Sequence, residues 1–411
     1  MTTAKAAVFV PLNVQLKPLL WLKITKMKKV TTKTSFLEGS RAISLTVANI
    51  QPEVVSAYPI TPQTHIVEDL ASFKASGKAN YEYLRAESEF AAASIVVGAS
   101  AAGSRVYSAT SSQGLLLMVE VLYNASGLRL PLVITVANRA VGAPINIWND
   151  HSDAMAMRDA GWMMLFAENH QEAVDLHVVA YKLAESLNIP VAVNVDGFIL
   201  THSHENVIIP SKLQIKKYLP SYKPKLGTYL DPKQPITIGG FFSPEYYWQE
   251  KSRLDQDLKA ATTKITSAYH SWKKILSSPL STKSIFDNGL VEYYGPKKAE
   301  TLLIAMGSVS GTIKEALKKQ NKVALLKVRS YRPFPAGDVK KIASRSRQIA
   351  IIEKAISSGA TGPLYADVVA ACPAVKGIFS NHIVGLGGRD ISVETINSII
   401  KSSQHEGLKF W

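Results

Sequence analysis

From about Gly39 onward, short apolar runs alternate with longer stretches whose apolar positions recur every three to four residues. This alternation of strand and helix predicts a parallel α/β sheet. PEVVSAYPI reads as a strand reaching its carboxyl end at Tyr58, and TPQTHIVEDLASFKASG as the helix that follows. Thr61 is expected to cap that helix with Pro62 at its first position, since a hydroxyl can accept an orphan N–H and proline has none to lose. YEYLRAES leads into ESEFAAASIVVGASAAG (Glu87 to Gly103), a helix-like stretch of almost wholly small, apolar residues. SRVYSAT, LPLVITVA and IPVAVNVDGF are further strands, and SSQGLLLMVEVLYNASG and HQEAVDLHVVAYKLAESLN are helices. Each strand-to-helix junction falls where open α/β sheets collect ligands.

The rhythm stops at Thr201, and the stretch 201–242 reads as a loop rich in Gly, Pro and aromatics. Loops of that length are usually functional or wrap a partner. A helix from about Ser243 to Ile275 and a Ser/Pro/Lys-rich linker near Ser277 to Ser284 lead into a second α/β block. There AETLLIAMGSVSGTIKEALKKQ is strand, glycine turn and helix, while KVALLKVRSYRPFP, RQIAIIEKA and SNHIVGLGGRD supply more strands. The division expected is a basic, disordered extension over 1–38, an α/β domain over 39–276 and a smaller α/β domain over 285–411. Met27, ahead of KKVTTKTSFLEGSRA, offers an alternative start.

Composition narrows the class. A chain of 411 residues with 46% hydrophobic content can bury a sizeable core. Its single cysteine, Cys372, excludes an intramolecular disulfide, a self-contained iron–sulfur cluster and a Cys-rich zinc site. Any electrons moved in a reaction must be carried by another chain. The 47 basic against 32 acidic residues give a net charge of +15. Much of the excess precedes Glu38, and a second share runs from Lys314 to Arg347, on what read as solvent-facing helices and strand ends. A solvated basic surface explains it, as does docking of an acidic electron carrier or a sister subunit. Nucleic acid is not an expected partner, because no recognition module interleaves the basic residues. VFVPLNVQLKPLLWL mimics a targeting segment, but Pro11, Asn13, Gln15 and Lys17 break it, and no run approaches a membrane span. A cytoplasmic protein is expected.

Three residues invite chemistry. Glu89 enters a run in which Ala91, Ala92, Ala93, Ile95, Val96 and Val97 allow close packing, so a carboxylate there is costly unless something holds it. Glu87 is the competing candidate for the inward position, and composition leaves the two unresolved. Thr61 combines a hydroxyl with the N–H groups of a helix start, an arrangement that suits a carboxylate as well as a simple cap. Arg139 follows an apolar strand at its carboxyl end, from which a guanidinium can clamp a carboxylate or pair with Asp150 or Asp153. GASAAG and GLGGRD lack both the P-loop lysine and the dinucleotide spacing, and read as helix packing and a tight turn. His202 and His204 sit in a polar loop, and no metal site is expected.

YPITPQT, ESEFAAASIVVGASAAG, ATSSQGLLLM, ANRAVGAPINIWNDHSD, AMGSVSGTIKEAL, RPFP and VGLGGRD, in that order, resemble the alpha subunits of pyruvate:ferredoxin oxidoreductases, within the 2-oxoacid:ferredoxin oxidoreductase family. The resemblance implies CoA-dependent oxidative decarboxylation of a 2-oxoacid, most simply pyruvate, with ferredoxin as acceptor. Branched 2-oxoacids such as 2-oxoisovalerate, or 2-oxoglutarate, are the alternatives within the family; a non-catalytic α/β assembly subunit is the alternative outside it. It further implies a pyrimidine-type thiamine diphosphate domain followed by a domain resembling the C-terminal domain of transketolase. On matching positions, Glu89 would bind the aminopyrimidine, Thr61 and Arg139 would hold the substrate, and Pro59 would line the cofactor cleft. Asp150 and His151 would lie near the site without an assigned role. The family's GDG motif for the diphosphate and magnesium is missing, as are the cluster cysteines. The resemblance therefore places Mg2+, the diphosphate contacts and a 4Fe–4S cluster on a beta subunit, with gamma and ferredoxin-like delta subunits completing the electron path.

Overall fold

The alternating segments build two seven-stranded sheets and one two-stranded ribbon. The computed structural model describes residues 34–276 and 284–411. The basic segment ahead of Thr34 and most of the expected linker lie outside the described residues.

The first sheet runs in the order Ser330–Arg332, Met163–Phe166, Val191–Asp196, Val133–Asn138, Val106–Thr110, Val54–Ala57, Glu82–Arg85. Its strands are parallel apart from Ser330–Arg332, which pairs antiparallel at one edge. Val106–Thr110, Val133–Asn138 and Val191–Asp196 are buried at every position, as a sheet covered on both faces requires. The chain leaves Val54–Ala57 toward one edge, makes Glu82–Arg85, and returns to the other side of Val54–Ala57 as Val106–Thr110. The strand order thus reverses between Val54–Ala57 and Val106–Thr110, which opens a crevice at their carboxyl ends.

The second sheet is Gly407–Phe410, Ile378–Ile383, Gln348–Glu353, Thr301–Ala305, Val323–Val328, Val291–Tyr294, Phe286–Asp287. The first five are parallel, and each of the last two pairs antiparallel with the strand before it. The expected strand–turn–helix holds: Thr301–Ala305, then Gly307 with φ +72, then the helix Val309–Leu317. The segment KVALLKVRSYRPFP divides its strands between the two sheets, because Val323–Val328 stays in the second while Ser330–Arg332 joins the first.

Several expectations are corrected. Ser35–Glu38, inside the extension read as disordered, is a strand paired with His204–Val207. The stretch expected as loop also holds a helix, Lys212–Tyr218, closed by a reciprocal Ser211–Gln214 capping box. The 33-residue helix Pro244–Leu276 starts one residue after its expected position. Lys327 and Arg329, counted with the solvent-facing basic residues, are only 2% and 1% exposed.

Those two cations sit where the chain crosses between sheets. Lys327 Nζ lies 2.6 Å from both Glu168 and Glu292 and 3.0 Å from Glu172; Arg329 contacts Glu172 and, at 2.8 Å, Asp287. Burial alone pushes Glu172 up, but Lys327 and Arg329 outweigh it and hold its pKa down at about 2. Removing one partner strands the remaining charges out of water, a change that costs about 3–5 kcal/mol. Lys327→Met is expected to lower the urea-unfolding free energy by about that amount at pH 7. Because the folded pKa of Glu172 lies below its ordinary 4.5, its stabilisation is complete above pH 4.5 and fades as pH falls toward about 2. Unfolding curves across that window should show a shallower acid loss in Lys327→Met than in the unmutated chain.

Candidate active site

At the crevice, Gln63 stitches the two strand ends together. Its side-chain amide donates to the carbonyls of Tyr58 at 2.7 Å and Ala109 at 3.2 Å, and its backbone N–H to Ile60 at 2.9 Å. Held in this turn, the chain enters its helix only at Thr64. Thr61 is therefore an exposed turn residue, not an N-cap, and its proximity to a helix start cannot supply an anion site. Pro59 is exposed beside it at the mouth of the crevice.

Glu89 is the inward acid. The Ser88 hydroxyl accepts the Ala91 N–H at 3.1 Å and starts the helix Glu89–Ala101. That start sets the phase: Glu89, Ala92, Ala93, Val96 and Ser100 are buried, while Glu87 stays outside in solvent. Glu89 is 7% exposed, and none of the described residues hydrogen-bonds its carboxylate. Its Oε1 lies over Gly114, where a Cβ would come within 2.5 Å of it and 2.8 Å of Thr110 Oγ1. Only glycine leaves that space. The buried Gln63 Oε1, Thr110 Oγ1 and Ser111 Oγ also lack partners among the described residues. Unpaired polar atoms lining a crevice leave bonds there for a ligand or ordered water.

Arg139 closes the other side. Asp153 Oδ2 accepts the backbone N–H groups of Ser112 and Arg139, both at 3.0 Å, and Oδ1 accepts from Asn138 Nδ2 at 3.0 Å. Burial pushes the Asp153 pKa up to about 6 against the pull of these donors. Ser112, at φ +49, turns the chain into the helix Ser112–Gly127. The Arg139 guanidinium donates to the carbonyls of Asn146 at 3.0 Å and Thr61 at 2.9 Å. It pairs with no carboxylate among the described residues, and burial lowers its pKa, with Asp153 opposing. Thr61 and Arg139 thus meet, through a backbone carbonyl.

Asp150 and His151 anchor the loop instead of facing the crevice. Asp150 accepts from Ser152 and from Gly387 N–H, and His151 Nε2 lies 2.7 Å from Asp196 Oδ1. Asp196 is paired with Lys354 of the second sheet at 2.7 Å, which together with His151 and against burial holds its carboxyl far below the usual range. On the segments that carry the crevice residues, Tyr58, Phe90, Leu116, Leu117, Ile147 and Trp148 are exposed, and Ile145 is 82% exposed. A rim of large apolar side chains of this kind marks an interaction surface.

Two family models match the chain: "Pyruvate flavodoxin/ferredoxin oxidoreductase, thiamine diP-bdg" over residues 46–270 and "Pyruvate:ferredoxin oxidoreductase core domain II" over residues 299–396. The pyruvate synthase subunit PorA of Methanocaldococcus jannaschii is 44% identical, over 89% of this chain and 93% of that protein. The PorA of Thermotoga maritima is 39% identical, over 93% of this chain and 97% of that protein. The chain belongs to the pyruvate:ferredoxin oxidoreductase family. Its relatives include the ketoisovalerate oxidoreductase subunit VorA of Pyrococcus horikoshii, 38% identical over 88% of this chain and 92% of that protein. A solved structure of 2-oxoglutarate:ferredoxin oxidoreductase from Magnetococcus marinus, 22% identical, superposes with a TM-score of 0.68 over 90% of this chain. That likeness is one of fold, and this chain spans 65% of that chain's length.

Family membership bears out the α/β class, a thiamine-diphosphate-binding domain and a place in a multi-subunit oxidoreductase. The buried, unpartnered Glu89 over Gly114 fits the hydrogen-bonding edge of an aminopyrimidine, which offers a ring nitrogen for a carboxyl proton. Among the described residues, no helix is long and apolar enough to cross a membrane. Gln63 and Gly114 are additions to the residues picked from sequence, while Asp153, named there as a possible partner of the Arg139 guanidinium, accepts its backbone N–H instead. Only Gly114 left a usable sign there, as a glycine two places into a helix that follows a strand.

Asp153→Asn would turn an NH2 toward N–H donors or leave two of them unpaired, and a buried unsatisfied donor costs about 1–3 kcal/mol. The expected result is a chain destabilised by about that much in chemical unfolding, with Arg139 no longer fixed.

Proposed function

We propose that this chain is the alpha subunit of a cytoplasmic, CoA-dependent pyruvate:ferredoxin oxidoreductase and holds the aminopyrimidine half of thiamine diphosphate. The observation that carries this reading is Glu89, a buried carboxylate without a partner among the described residues, in a chain lacking the diphosphate motif and the cluster cysteines. When bound, the cofactor supplies the carbanion chemistry for decarboxylating a 2-oxoacid. Glu89 holds a proton at the aminopyrimidine ring nitrogen and so selects the cofactor's tautomer. The apolar Ala92, Ala93 and Val96 behind it keep water from competing for that proton. Pro59 lines the crevice. Arg139, already oriented by the Thr61 and Asn146 carbonyls, turns its remaining N–H groups to the substrate carboxylate, and Thr61 contributes its hydroxyl.

In this reading residues 39–276 are the pyrimidine-type domain and 285–411 the transketolase-like one. The exposed rim from Tyr58 to Trp148 is where a beta subunit docks, bringing Mg2+, the diphosphate contacts and a 4Fe–4S cluster. Gamma and ferredoxin-like delta subunits pass electrons to ferredoxin. Pyruvate is the substrate chosen because the PorA relatives are pyruvate synthase subunits at up to 44% identity.

The test is reconstitution with the beta subunit, reading pyruvate-dependent dye reduction. Glu89→Gln keeps the shape but has no proton to hold, and turnover should fall about 10²-fold or more. Undiminished turnover would remove Glu89 from the chemistry. Gly114→Ala places a methyl against Glu89 Oε1 and should lower turnover while leaving the unfolding midpoint nearly unchanged. Arg139→Ala should raise the KM for pyruvate at least tenfold; unchanged kinetics would assign the guanidinium to holding the turn alone. Competition among pyruvate, 2-oxoisovalerate and 2-oxoglutarate checks the substrate.

A further inference from the structure

His202, in a loop where no metal site was expected, finds partners through the fold. Glu38 ends the strand Ser35–Glu38, His65 is the second residue of the helix Thr64–Ala75, and His202 lies in the turn that follows Val191–Asp196. These segments are far apart in sequence. One ligand atom from each of Glu38, His65 and His202 lies within 4.8 Å of the other two. His65 Nδ1 and Glu38 Oε1 are 2.6 Å apart, and the His65 and His202 rings stack at 4.6 Å between centroids.

We propose that Glu38, His65 and His202 form a binding site for one divalent transition-metal ion of the zinc type. Two imidazoles and one carboxylate, with a fourth position open to water, form a donor set that suits Zn2+ or Co2+. The surroundings resemble a prepared site more than a chance grouping. Thr201 Oγ1 lies 2.7 Å from His202 Nδ1 and accepts the Phe198 N–H at 2.8 Å. Such a hydroxyl orients the ring and leaves Nε2 as the ligating atom. Arg41, the one cation among the described residues lining the adjoining groove, is engaged by Asp69, so its charge is compensated.

An ion here would pin three segments. His65 lies four residues beyond Thr61, and Phe198 stacks between His202 and Trp148 at 4.8 and 4.5 Å. The ion would therefore brace the turn that carries Thr61 and the rim around Trp148 from outside the crevice. Its role is structural, and it reaches neither Glu89 nor Arg139.

The test uses the full chain, stripped with a chelator and titrated with Co2+, whose visible d–d bands report tetrahedral nitrogen and oxygen ligation. One equivalent of Co2+ should bind, Zn2+ should displace it, and Zn2+ should raise the Tm of the unmutated chain. His65→Gln and His202→Ala should each weaken Co2+ binding at least tenfold, whereas His405→Ala, at an exposed histidine elsewhere, should not. Equal Co2+ affinity in His65→Gln and the unmutated chain, or no d–d band in the unmutated chain, would overturn the site. His65 is about half exposed, so His65→Gln decides the matter even where His202→Ala fails to fold.

Discussion

The ion pair between Asp196 and Lys354 fixes the relation between the two sheets and, through it, the loop that carries Arg139. Asp196 closes the strand Val191–Asp196 in the first sheet; Lys354 follows the strand Gln348–Glu353 in the second. Both are buried, so the pair is sound only if its remaining hydrogen-bonding capacity is filled. It is filled from the loop: Lys354 Nζ donates to Asn149, the Lys354 carbonyl accepts the His151 N–H, and His151 Nε2 meets Asp196. Asn149 in turn donates to the Asn138 carbonyl, and Ala140 N–H to Trp148. The stretch from Arg139 to His151 is thereby closed at both ends. Without Lys354, the loop would lose the anchor that lets Arg139 face the crevice.

Buried charge serves two opposite ends in this molecule. Along the crossing between sheets, every carboxylate around Lys327 and Arg329 has a cation within reach, and the cost of desolvation is offset by several short contacts at once. At the crevice, Glu89 is 7% exposed and has no such company among the described residues. A carboxylate left unpaired beside other unpartnered polar atoms points to something supplied from elsewhere.

The layered α/β character, the long helix Pro244–Leu276 and the strand carrying Arg139 were all legible, since each depends on local periodicity. Short edge strands such as Glu82–Arg85 and Ser330–Arg332 were not, because their pairing is decided by partners distant in sequence. Lys327 and Arg329 looked solvent-facing for the same reason: their acids lie on other elements. The choice between Glu87 and Glu89 failed on composition, as an all-apolar helix has no polar face to set its phase. The phase was carried by Ser88, whose capping bond fixes which residues turn inward. Thr61 misled in the reverse direction. Threonine before proline is a sound capping pattern, but Gln63 had a better use for the turn, bridging two strand ends that sequence does not show to be neighbours.

The proposed half-site also accounts for how the crevice is built. Glu89 is tolerated in the single chain because it lies at the first turn of its helix, where the unpaired N–H groups favour negative charge, and because Gly114 leaves room around its oxygens. Those features lower the cost of the carboxylate without satisfying it. A ligand that bonds Glu89 only when a second chain closes over the exposed apolar rim would join two favourable steps, removal of the rim from water and completion of the hydrogen bond. Each step makes the other more favourable, so cofactor and partner subunit stabilise one another's binding by linkage. In the proposed enzyme, Glu89 thus belongs to assembly as well as to chemistry.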